Sequence, residues 1–177
     1  MTWTDRRGRR VRLWIPDEVY VDDPEEFMET LVQRTVEIIE REPIDLLANP
    51  TYLPAVLASR YDELWTADRM RRVIEAAVRH DVAIEINGRT RLPGRAFLRL
   101  AQKAGAKFSF GTNNRDEEIG SLDYCLDVAH ELALGPADLF VPSPSGRRAA
   151  DRRHHLFPDV RRHLEAPVSY SRSTESQ

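Results

Sequence analysis

The sequence predicts an α/β fold, and three observations predict it. Between "VRLWIPDEVYV" and "ADLFVPS", short runs of β-type residues alternate with longer segments of helical periodicity, the pattern of parallel strands joined by helical crossovers. The helical segments carry start and stop signals at their ends. A chain of 177 residues with 41% apolar and 31% charged residues is long enough for one core and too short for two comfortable ones.

The first helix has the clearest boundaries. Asp23 is placed to cap it, Pro24 suits its first turn, Glu26 completes a capping box, and Phe27, Leu31, Val32, Ile38 and Ile39 share a face, with an end near Glu42 and Pro43. "IDLLANP" follows as a buried strand stopped by Pro50, and "TYLPAVLASRYDELW" is an irregular stretch with a short helix, placed to form a lid or wall. Thr66 caps the next helix, in which Met70, Val73, Ile74, Ala77 and Val78 repeat at helical spacing before the strand "VAIEIN". The cycle repeats through "GRAFLRLAQKAG", stopped by Gly105, then "KFSFGTNN", then "SLDYCLDVAHELALG", ended by Gly135, then "DLFVP". These elements set a single domain over residues 1–145. From 146 to 177 the chain is a basic tail rich in Pro, Ser and Arg, with a short helix around Val160 to Leu164 and otherwise little packing.

Composition excludes several classes of function. The longest apolar run falls short of a membrane span, so no membrane partner is expected, and "MTWTDRRGRR" lacks the apolar stretch of a signal peptide, which makes the cytoplasm the expected compartment. A formal net charge of -3 gives no global argument for nucleic acid. Arginines do gather in "DRRGRRVR" and "GRRAADRRHH", but no aromatics interleave the second cluster to stack on bases, so solvated ends are the plainer reading. Cys125 sits among Leu122, Leu126 and Ala129 at the spacing of a buried helix face, which reads as a packed thiol rather than a nucleophile. His80 and His130 fall late in helices and His154, His155 and His163 in the tail, as surface or packing residues.

In parallel α/β architectures, ligands bind at the rim where strands end. The residues there are polar at every turn: Asn49 and Thr51 after "IDLLA"; Glu85, Asn87 and Arg89 around "VAIEIN"; Thr112, Asn113, Asn114 and Arg115 after "KFSFG"; and Ser143 after "DLFVP". Each Asn taken alone is an ordinary turn residue. Glu85 is less ordinary, since it stands between Ile84 and Ile86 and shares a strand face with Ala83 and Asn87. A buried carboxylate needs a partner. Arg89, Arg91 and Arg115 are the available cations, and a structural salt bridge and a ligand-binding role both fit Glu85.

Three of these strands, in order, resemble the polymerase and histidinol phosphatase (PHP) superfamily. "PIDLLANPTYLP" is similar to its D-hydrophobic-hydrophobic-x-His-Pro strand, "HDVAIEINGR" to its G-hydrophobic-x-hydrophobic-Glu-hydrophobic-Asn strand, and "AGAKFSFGTNNRDEEIGSLDYCLDVA" to its hydrophobic-Gly-Ser-Asp-x-His strand with the following helix. The match covers about residues 40 to 145, the second half of that fold. The resemblance implies a partial or distorted TIM-like (β/α) barrel of about five mostly parallel strands with flanking helices.

It also implies where metal ligands stand in the family, and the substitutions there oppose metal. Asn49 replaces a His, Asn113 an Asp and Arg115 a His, and the N-terminal His-x-His pair has no counterpart before residue 40. An amide oxygen carries no charge, and a guanidinium does not ligate and repels a cation. No metal and no cofactor are expected. The leading reading is a PHP-like domain with a degenerate metal site that binds a small phosphorylated or carboxylated ligand, or a polyol, through Asn49, Thr51, Asn87, Arg89, Thr112, Asn113, Asn114 and Arg115. The alternatives are a divergent phosphoesterase, with Glu85 as general base and Arg89 or Arg115 stabilising developing charge, and a non-catalytic interaction module touching nucleic acid through its basic ends. A shortened barrel leaves open edges, which either Trp3, Trp14 and the tail wrap or a second copy covers; a homo-oligomer is the expectation. A native start upstream of Met1, carrying the missing motifs, is a third reading.

Overall fold

The computed structural model describes residues 8–114 and 120–141, together with the backbone of residues 2–4. Arg115, Ser143 and the whole basic tail therefore lie outside the described residues, as does the side chain of Trp3.

The chain opens with an antiparallel ribbon, β1 (Thr2–Thr4) paired with β2 (Arg10–Arg12). After a 3-10 turn at Pro16–Glu18 comes α1 (Pro24–Arg41), started by Asp23, whose Oδ1 accepts from the N–H groups of Glu25 (2.9 Å) and Glu26 (3.1 Å). β3 (Leu46–Leu47), α4 (Ala67–Arg79), β4 (Ala83–Asn87), α5 (Arg95–Lys103), β5 (Phe108–Gly111) and α6 (Asp123–Glu131) then alternate, with the short helices α2 (Ala55–Ala58) and α3 (Tyr61–Leu64) between β3 and α4. The sheet runs β3-β4-β5, all parallel, with Glu85 beside Ser109 and Asn87 beside Gly111.

Every residue of β4 is buried, as expected of a parallel strand covered on both faces. α4 and α6 pack on β4, and α1 and α5 on α4. Phe27, Met28, Leu31, Val32 and Ile39 carry the core face of α1, and each such side chain taken fully from water contributes roughly 1.5–3 kcal/mol. Ile38, expected on that face, is exposed. On α4, Val78 falls past the edge of the apolar stripe and is exposed. The opposite edge holds Arg69, buried, whose guanidinium bonds Glu25 (2.7 Å), Glu29 (3.0 Å) and the carbonyl of Leu64 (2.9 Å) and so rivets α4 to α1. The stretch 51–65 is a wall: Leu57, Leu64 and Trp65 are buried, and Trp65 meets Phe97 edge-on at 6.2 Å.

The α/β class holds, but the partial or distorted TIM-like barrel of about five mostly parallel strands does not. The described sheet has three strands and does not close. "VRLWIP" contributes only β2, which pairs with β1 rather than with β3. Among the described residues "DLFVP" contributes a single parallel bridge, Leu139 beside Phe108, and its first residue, Asp138, belongs to a 3-10 turn at Pro136–Asp138. β3 is two residues long, cut by the left-handed Asn49 (φ 47°) and Pro50. Likewise α6 ends at Glu131, ahead of the expected Gly135, with Ala133 taking the left-handed turn (φ 50°). Among the described residues no helix is long and apolar enough to cross a membrane.

Candidate functional site

The three parallel strands end side by side, and the residues that follow them form one hydrogen-bonded network. Asn49, after β3, turns left-handed, and its N–H donates to Glu85 Oε2 at 2.7 Å. Asn113, after β5, turns the same way (φ 46°). The two side-chain amides face each other across the intervening β4: Asn49 Nδ2 donates to Asn113 Oδ1 (3.3 Å) and Asn113 Nδ2 donates to Asn49 Oδ1 (3.2 Å). Asn is among the few residues that tolerate positive φ. Thr90 Oγ1 is a second donor to Asn49 Oδ1, at 3.1 Å.

Glu85 is held beneath this amide pair, 7% exposed. A side chain at its neighbour Gly111 has no room, since a Cβ there would lie 1.9 Å from Glu85 Oε1. The carboxylate therefore fills the space that a side chain at 111 would take, which is the close approach that a glycine at a strand end permits. The expected arginine partner is not what the described bonds show: the bond to the carboxylate comes from the main chain of Asn49.

Asn87, fully buried at the end of β4, closes an Asx turn in which Oδ1 accepts from the N–H groups of Arg89 (3.1 Å) and Thr90 (3.0 Å). Those two bonds fix which end of the amide is oxygen. They also leave Asn87 Nδ2 buried without a partner among the described residues. Gly88 next to it is required by contact, because a Cβ there would lie 2.5 Å from the carbonyl oxygen of Ser121. Below the turn, Cys125 Sγ donates to the carbonyl of Ile86 at 3.2 Å, and burial pushes its thiol pKa up, with a smaller push from the nearby charge of Glu85. It is a packed thiol, as expected, but the buried face of α6 is shared with Val128, and Leu126, expected on that face, is exposed.

The other expected site residues divide. Thr51 is buried in the wall: its hydroxyl accepts from Tyr61 Oη at 2.7 Å and its carbonyl from Trp65 Nε1 at 3.0 Å, while Tyr61 Oη accepts from the N–H of Gly94 at 3.0 Å. Thr112 and Asn114 are engaged with their own loop, since Asn114 Oδ1 accepts from Thr112 Oγ1 and from the N–H of Gly120. Arg89 is exposed on the turn after β4. The structure thus gathers Asn49, Glu85, Asn87 and Asn113, and adds Thr90 and Gly111. A glycine closing "FSFG" and a threonine closing the "NGRT" turn were the available signals for these two.

Among the described residues no three His, Cys, Asp or Glu side chains stand together as a metal would need. Comparison with protein-family models, with curated proteins and with solved structures finds no match.

Proposed function

We propose that the chain is a PHP-like domain whose rim, with the family's metal ligands substituted, binds a small phosphorylated or carboxylated ligand. The observation that supports this most is the convergence of side chains from three successive crossover units, Asn49, Glu85 and Asn113, on one mouth at the strand ends. The amides offer donors, and the exposed Arg89 brings fixed positive charge to the same rim, the pairing that charge-assisted recognition of an oxyanion uses. Glu85 is engaged by a backbone N–H and walled by Gly111, which favours an acceptor in a binding site over a general base.

The test is a thermal-shift and calorimetric screen of inorganic phosphate, sugar phosphates and hydroxy acids against the wild type and Asn113→Ala. A ligand at about ten times its Kd adds roughly 1.4 kcal/mol, or about 3–6 °C for a domain of this size. The expected result is such a shift in the wild type and its loss in the variant. A screen in which every anion leaves the wild-type melting temperature unmoved overturns the proposal.

A further inference from the structure

The buried end of the mouth contains two groups with opposite needs. Asn87 Nδ2 is a donor, sealed from water and without a partner, and its orientation is locked because Oδ1 is committed to the N–H groups of Arg89 and Thr90. Glu85 is an acceptor with Oε2 taken by Asn49 and Oε1 lying over Gly111. The two side chains leave the same face of β4, two residues apart, which places their Cα atoms roughly 6.6 Å from each other, within reach of one small group set between them. An unsatisfied buried donor is rare in native proteins and points to a partner from outside the chain.

The chemistry of that partner follows from what both groups accept. A bare oxyanion accepts a hydrogen bond from Asn87 Nδ2 but meets the Glu85 carboxylate as a like charge. A cation or ammonium group satisfies Glu85 but confronts the Asn87 N–H and the Asn49 N–H with further positive charge. A hydroxyl does both jobs, accepting from Asn87 and donating to Glu85. Resting on the proposed anion site, we infer that the ligand is a hydroxylated anion, a hydroxy acid or a polyol phosphate, whose hydroxyl is read by Glu85 and Asn87 at the inner end while its anionic group stays at the outer rim near Arg89. To reach that depth it parts the Asn49–Asn113 amide pair, whose bonds of 3.2 and 3.3 Å are long for amides.

The test uses matched probes that differ only in hydroxyls: glycerol 3-phosphate against n-propyl phosphate, and gluconate against hexanoate. Binding to the full chain is followed by calorimetry and by the side-chain amide resonances of Asn87 in 15N-labelled protein. The expected result is that the hydroxylated member of at least one pair binds tenfold or more tightly than its deoxy partner and shifts the Asn87 amide signals. Two variants sharpen it. Asn87→Asp keeps the oxygen that closes the turn but turns the donor into an acceptor, and is expected to lose the hydroxylated probe. Glu85→Gln keeps an acceptor for the Asn49 N–H and is expected to shrink the tenfold preference, so that the test survives if Asn87→Asp does not fold. Equal binding of both members, with Asn87 signals unmoved, overturns the hydroxyl inference and leaves the anion site standing. Binding of neither member of either pair overturns both.

Discussion

Replacing Gly111 by alanine tests the geometry of the mouth without substituting any polar side chain. The added Cβ would sit 1.9 Å from Glu85 Oε1, 2.6 Å from Cδ and 3.0 Å from Cγ, so the carboxylate must move. The end of a glutamate is flexible in water, but this one is buried and tethered by the Asn49 N–H at 2.7 Å. Displacing it forfeits a hydrogen bond to a charged group, about 1.5–3 kcal/mol, and overpacks the site by about 1–3 kcal/mol. Gly111 is not left-handed, so alanine adds no backbone penalty of its own. The total, about 2.5–6 kcal/mol, corresponds to a fall in melting temperature of roughly 5–24 °C for a domain of this size. Urea denaturation of wild type, Gly111→Ala, Glu85→Ala and the double variant forms a cycle. Because Glu85→Ala removes all three clashing atoms, alanine at 111 is expected to cost almost nothing in that background, with a coupling of at least about 1.5 kcal/mol. If the two substitutions add, the carboxylate does not rest on Gly111 and the described mouth is wrong.

Three further outcomes are expected. Asp23→Ala removes the acceptor for two N–H groups at the start of α1 and is expected to cost about 1 kcal/mol in denaturant titrations, with Asp23→Asn recovering most of it. Hydrogen bonds from Arg72 and then Arg69 hold the Glu29 carboxyl below its ordinary pKa; a carboxyl depressed on folding contributes stability that is present above the unfolded value of about 4.3 and is lost as pH falls through the folded value. Melting temperatures at pH 6 and pH 3 are therefore expected to fall further in wild type than in Glu29→Gln, modestly because Glu29 is half exposed, and an identical fall in both rejects the link. Cys125, buried and with its thiol pKa pushed up, is expected to react with a disulfide reagent at least about tenfold more slowly in the native protein than in urea, and equal rates count against its packing under β4.

The parts of the fold that depend on local chemistry were legible in the residues. Asp23 and Thr66 cap helices where they were expected to, Gly105 turns left-handed (φ 78°) behind α5, and "VAIEIN" is the buried central strand. What failed depends on distant partners. "VRLWIP" joins a separate ribbon by pairing with residues 2–4, and "DLFVP" meets β5 through one bridge beside a 3-10 turn; alternation alone carries neither fact. The site behaved the same way. Strand alternation put Glu85 and Asn87 on one face, and resemblance put Asn49 and Asn113 at matching positions. That Asn49 serves Glu85 through its backbone, and that Thr112 and Asn114 close their own loop, follows from left-handed turns and short-range bonds that residue type does not announce.

The Asn49–Asn113 amide pair joins two strands that share no ladder, because β4 lies between them. The width of the mouth is therefore governed by side-chain rotation rather than by the sheet. Swinging either amide aside breaks no strand-to-strand bond, and such rotations at exposed positions take picoseconds to nanoseconds, far faster than hinge motions. A rim latched in this way can part and close again while the strands beneath it keep their register.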